Sequence, residues 1–107
     1  MNTRYAEIEP ARVDIDALQG PAVIEFGASW CGYCSAVQPL LVAAFVDRPH
    51  VRHFKIEDGR GRQLGRSFQV KLWPTLVFLR NGQEVERLIR PADSLAISRA
   101  LARIDAE

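Results

Sequence analysis

The stretch Thr75-Leu76-Val77-Phe78-Leu79, followed at once by Arg80-Asn81-Gly82, constrains the fold of this chain more than any other feature. Five successive positions without a charge cannot form a strand with one face in water. They predict a strand buried on both faces, with helices packed above and below it. Asn81-Gly82 favours positive φ at both central positions of a tight turn, so a hairpin returns into a strand over Glu84 to Ile89. Upstream, Ala22 to Phe26 (AVIEF) is a short apolar strand with one acid inside it, and Val51 to Ile56 alternates as a strand does. Helical patterns run over Asp14 to Leu18, over Cys31 to Phe45 with Pro39 in the interior, and briefly near Leu64 to Phe68. The segment Asp58 to Gly65 reads as a loop. In Ala92 to Ile104, residues Leu95, Ile97, Leu101 and Ile104 fall roughly along one helical stripe. The order βαβ, helix, hairpin, helix predicts an α/β fold with a central mixed sheet flanked by helices on both faces.

A chain of 107 residues is expected to form one domain over 1–107 and to bury about 65% of its unfolded surface. Apolar residues make up 48% and charged residues 25%, so a core is available without crosslinks. The net charge of +1 argues for neither nucleic-acid nor membrane binding, and a monomer is expected. The opening MNTRYAEIEP lacks an apolar core of signal-peptide length. The run Val37 to Val46 is interrupted by Gln38 and Pro39 and is too short to cross a bilayer. The expected setting is therefore cytoplasmic and reducing, where a C-x-x-C pair cycles or binds metal rather than forming a lasting staple.

Both cysteines of the chain lie in Trp30-Cys31-Gly32-Tyr33-Cys34. At i and i+3 on the start of a helix they share a side and come close enough to bond. Unpaired N–H groups at the helix end favour a thiolate at Cys31, which makes it the exposed attacker, with Cys34 one turn deeper as the resolving thiol. The rival is a zinc site completed by His50 and His53. Zinc-finger histidines sit on a helix, whereas these fall at a strand, where i and i+3 point to opposite faces. No metal is expected, and each histidine reads as a surface residue at a strand's edge. A cluster shared between two chains would need thiolates from outside this one.

The set of motifs resembles the thioredoxin family over about Ala22 to Ile104. It comprises Glu25 six residues before Cys31, the Trp30–Cys34 motif, Pro39 five residues after Cys34, and Pro74-Thr75 opening the apolar strand before Arg80-Asn81-Gly82. The resemblance implies a thiol–disulfide oxidoreductase, without cofactor or metal, that reduces protein disulfides. A reductase or glutathione would supply its electrons. It implies that Cys31 is the nucleophile, Cys34 the resolver, and Glu25 the buried acid that helps move the proton of Cys34. Trp30, Gly32, Tyr33, Trp73 and Pro74 would contact substrate, with Pro74 cis and the Trp73 backbone beside Cys31. An acid inside an apolar strand is expected to have a raised pKa; otherwise Glu25 reaches water or pairs with Lys55.

This chain departs from the family pattern at several positions. Tyr33 replaces the usual proline, Gly27 stands where the family usually has Trp, and Trp73 replaces a smaller residue. Either Trp73 fills the space Gly27 leaves or it narrows the substrate groove. The basic segment Arg60 to Arg66 is a solvated face or a steering patch for acidic partners. Arg90-Pro91 lies where the family has a glycine. A different class of function, a thioredoxin-like binding or chaperone module with dispensable cysteines, is the alternative.

Overall fold

The uncharged run at 75–79 lies inside the sheet, as its composition demands. In the computed structural model, which describes residues 1–105, the chain forms α1 (Arg12–Asp16), β1 (Pro21–Gly27), α2 (Gly32–Phe45) and β2 (Arg52–Glu57). There follow α3 (Gln63–Ser67), β3 (Thr75–Arg80), β4 (Gln83–Ile89) and α4 (Ser94–Asp105). The sheet order is β2-β1-β3-β4, with β1 parallel to β2 and antiparallel to β3, and β3 antiparallel to β4. The expected mixed sheet is therefore present.

Strand alternation sorts the core into two layers. Leu76 and Phe78 join Val23, Val37, Leu41, Ile97 and Leu101 on the side of α2 and α4. Val77 and Leu79 join Ile15, Ile24, Phe26, Leu64 and Phe68 on the side of α1 and α3. Parity then decides where Glu25 goes: two residues beyond Val23, it points beneath α2 with no exposed surface. In the hairpin, Phe78 pairs with Glu86 but Leu79 pairs with Glu84, so Val85 is the extra residue of a bulge.

The Asn81-Gly82 turn has positive φ at both residues (50° and 77°), as that dipeptide predicts. Gly82 is doubly constrained, because a Cβ there would lie 2.1 Å from the Asp16 carbonyl oxygen. Gly82→Ala is expected to cost about 2 kcal/mol or more, read as a lower midpoint in urea with an unchanged slope.

Boundaries shift where tertiary contacts intervene. The first helix lies two residues earlier than its apolar pattern suggests, and Leu18 packs on the core from the turn behind it. The basic segment is not all loop, since α3 begins at Gln63 and holds Gly65 inside it. There the Asp58 carboxylate lies where a Cβ of residue 65 would be, 2.1 Å from its Oδ1. Residues 1–10, given no structure by pattern, run beside the outer edge of β2. Ala6 N–H donates to the Lys55 carbonyl (2.9 Å), and the Asn2 side-chain amide donates to the His53 carbonyl. Glu9 then accepts from Leu64 N (2.9 Å) at the start of α3.

Candidate active site

Cys31 is the N-cap of α2. Its backbone is extended (φ −87°, ψ 118°), and its Sγ accepts the N–H of Cys34 at 3.2 Å, one of the donors a helix start leaves unpaired. Gly32 and Tyr33 form the exposed first turn between the two sulfurs. The expected difference in access is small, for Cys31 is 8% exposed and Cys34 2%. Burial, then the neighbouring Cys31 and Glu25, push the Cys34 thiol up to about 11, against a smaller downward effect of the Ala28 backbone. Cys34 is therefore a protonated thiol at neutral pH.

Aromatic side chains form the rim. Trp30 is 77% exposed and meets Trp73 edge to face at 5.4 Å. Trp73 packs against Ala28, Cys31 and Cys34, and its indole N–H donates to Asp58 Oδ2 at 2.8 Å. Gly65 leaves room for that carboxylate. The Trp73–Pro74 peptide is cis, and Pro74 is buried. The Arg90 guanidinium lies 3.9 Å from the centre of the Tyr33 ring, and its Nε donates to the Trp73 carbonyl at 2.8 Å. Arg90 thus ties the first turn of α2 to the cis-proline loop.

Beneath the cysteines lies a buried polar cluster. Lys55 Nζ and Gln38 Nε2 donate to Oε2 of Glu25 at 2.9 and 2.8 Å. His53 Nε2 is 2.9 Å from Oε1. The His53 Nδ1 accepts the Asn2 backbone N–H at 2.8 Å, so Nε2 carries the ring proton and donates to Glu25. This corrects the expected titration of the acid. Burial alone would raise its pKa, but donors on three sides outweigh it and hold the carboxyl below its ordinary value. The pairing with Lys55 is the one the strand pattern allowed. Gln38 also donates to the Cys34 carbonyl (2.9 Å), so the link from acid to cysteine runs through that amide.

His53 is itself a correction, being buried at the centre of this cluster. His50 is at the surface as expected, 2.8 Å from Asp105. The two histidines are thus committed to different carboxylates, His53 to Glu25 and His50 to Asp105. Among the described residues, no group of three or more His, Cys, Asp or Glu is placed to hold a metal ion.

The space beside Gly27 is not filled by Trp73. A Cβ on Gly27 would lie 2.7 Å from Cys34 Sγ and 2.9 Å from the Tyr5 hydroxyl, so Tyr5 occupies it. Tyr5, Cys34, Gln38 and Lys55 line a cavity of about 150 Å³ there. Pattern gave no signal for Tyr5, which arrives on an arm without periodicity. His53 and Lys55 did carry one: at i and i+2 of a strand they share a face, the face on which Glu25 lies one strand away.

The comparisons with known proteins agree with this geometry. The model of the family described as Thioredoxin matches residues 6–103. The chain belongs to the thioredoxin family. The structure of thioredoxin 2 from Pseudomonas aeruginosa, in its reduced form, is 54% identical to the chain. It covers 98% of this chain and 97% of its own, with a TM-score of 0.86. A thioredoxin of Chlamydia trachomatis is 30% identical across 78% of this chain and 82% of its own length. An H-type thioredoxin of Fagopyrum esculentum is 37% identical over 63% of this chain, and the match spans 58% of that relative. A bifunctional thioredoxin reductase/thioredoxin of Mycobacterium leprae matches at 29% over 85% of this chain and 20% of its own length. Among the described residues, no helix is long and apolar enough to cross a membrane.

Proposed function

We propose that the chain is a thiol–disulfide oxidoreductase that reduces protein disulfides, with Cys31 as nucleophile and Cys34 as resolving thiol. The observation that carries this reading is the position of the pair. One sulfur caps α2 and retains 8% exposure of its residue, and the other lies one turn along the helix as a protonated thiol. The Cys31 thiolate attacks one sulfur of the partner's disulfide, and the other leaves as a thiolate. Cys34 then loses its proton and attacks Cys31 Sγ. The Cys31–Cys34 bond forms, the mixed disulfide breaks, and the second partner sulfur takes up a proton. Two electrons pass to the partner.

Around this reaction, Trp30, Gly32, Tyr33, Trp73 and Pro74 form the surface that meets the partner. Glu25 acts through its charge and through Gln38, which it holds against the Cys34 carbonyl. Electrons to restore the dithiol come from a thioredoxin reductase; the name of the Mycobacterium leprae relative, which joins the two activities, supports this choice over glutathione. The chain works as a cytoplasmic monomer of one domain, with no cofactor of its own.

The test is the potential of the Cys31–Cys34 couple in a dithiothreitol buffer, with the Trp30–Trp73 pair as fluorescent reporter. A value near the thioredoxin range of about −270 mV is expected, together with NADPH-driven turnover when a thioredoxin reductase is added. A value near about −150 mV would instead mark an oxidant or isomerase. Turnover with glutathione alone would reassign the donor.

A further inference from the structure

The resolving step asks Cys34 to become a thiolate in a place that disfavours charge, and the polar neighbours beneath it are already engaged. Lys55 Nζ is bound to Glu25, His53 donates to the same carboxylate, and the Gln38 amide is shared between Glu25 and the Cys34 carbonyl. Besides the Ala28 backbone, one side-chain donor lies beside the sulfur from outside this cluster. The Tyr5 hydroxyl and Cys34 Sγ lie 2.9 and 2.7 Å from the point a Cβ of Gly27 would occupy, and both residues line the same cavity.

We propose that Tyr5 is a catalytic residue of the resolving step, its hydroxyl donating a hydrogen bond to Sγ of Cys34 and stabilising the thiolate as it attacks Cys31. This inference rests on the exchange reaction proposed above. The phenol is held in place from both sides. Lys55 Nζ lies 4.7 Å from the centre of its ring, and the arm is tied to β2 before it at Asn2 and after it at Ala6. Burial, with Cys34, Glu25 and Cys31 as neighbouring negative charges, raises its pKa well above the usual phenol value. Tyr5 therefore keeps its proton and acts as a donor throughout. The proton lost by Cys34 leaves through the adjoining cavity and is matched by the one gained by the released partner thiolate.

Only a glycine at 27 admits this contact. The sequence change on β1 and the arrival of a tyrosine from the terminal arm are thus two halves of one site. The titratable groups beside Cys34 are Cys31 from its own helix, Glu25 from β1, and Tyr5 from the arm, with the Ala28 backbone next to them and Lys55 and His53 of β2 bound to Glu25 behind.

The test is the two-phase release of thionitrobenzoate from 5,5′-dithiobis(2-nitrobenzoate) by the reduced full chain. The first equivalent reports attack by Cys31 and the second reports resolution by Cys34. Tyr5→Phe retains the ring and removes one oxygen. It is expected to leave the first phase within about twofold and to slow the second about tenfold, as for loss of a hydrogen bond to a charged group. In a Cys31→Ser background, adding Tyr5→Phe is expected to move the titration of Cys34 alkylation about one pH unit higher. Gly27→Ala keeps the hydroxyl but crowds both atoms, and it should slow the second phase as well. An unchanged second phase and unchanged alkylation in Tyr5→Phe overturn the proposal, whatever Gly27→Ala does. Failure of the first phase in the parent chain would instead overturn the exchange reaction itself.

Discussion

Cys31→Ser is expected to lower disulfide-reducing turnover on the order of 10³-fold or more, to the uncatalysed background. A serine hydroxyl in the same N-cap position accepts the Cys34 N–H equally well, so the helix start survives and only the nucleophile is lost. Cys34→Ser should behave differently. Cys31 still attacks, but the step that releases the partner is missing, so one equivalent of mixed disulfide accumulates on Cys31. Mass spectrometry before and after reduction checks both outcomes. Full turnover in Cys31→Ser would leave the cysteines without the role proposed for them. Partner capture that survives loss of both sulfurs would point to a binding module carried on the same fold, with the Trp30–Trp73 rim as its surface.

Glu25→Gln carries the largest expected effect on stability. The acid is fully buried and receives donors from Lys55, His53 and Gln38, and the Lys55 side chain is itself only 6% exposed. Removing the negative charge strands a buried ammonium group, an effect of about 3 kcal/mol when one partner of a buried pair is lost. For a chain of this length that is a fall in Tm of roughly 12 °C or more, readable by circular dichroism.

The same carboxyl dictates a pH dependence. Its folded pKa lies below the ordinary 4.5. Its contribution to stability is therefore complete above about pH 4.5 and is lost as pH falls through the lower folded value. The parent chain should lose stability steeply there, and Glu25→Gln should show a flatter acid limb. Parallel acid limbs in the two proteins would mean that other carboxylates govern acid unfolding.

Much of the fold is legible in sequence because its signals are short-range. An uncharged run at 75–79 needs cover on both faces, Asn81-Gly82 fits the hairpin turn, and Cys31 and Cys34 are neighbours by helical spacing alone. These follow from the periods of strand and helix and the φ preferences of particular residues. Element ends were less legible: α1 spans Arg12–Asp16 rather than Asp14 to Leu18, while Leu18 packs on the core from the turn behind it.

The candidate site was half legible for the same reason. Glu25 could be singled out from its strand, but its ionisation could not be read there. The outcome depends on Lys55 and His53, 30 and 28 residues away, and on how β2 registers beside β1. Burial and hydrogen bonding act on the charge with opposite sign, so donors that local pattern cannot place reversed the prediction. Tyr5 had no local signal at all, and its reach to Cys34 exists only because the terminal arm lies along β2 and Gly27 has no side chain. Spacing along the chain was enough to specify which atoms can exchange electrons and the sheet that carries them. The charge on those atoms, and the group that stands beside the resolving sulfur, were settled by the packed fold, because solvation and hydrogen bonding depend on neighbours in space rather than in the chain.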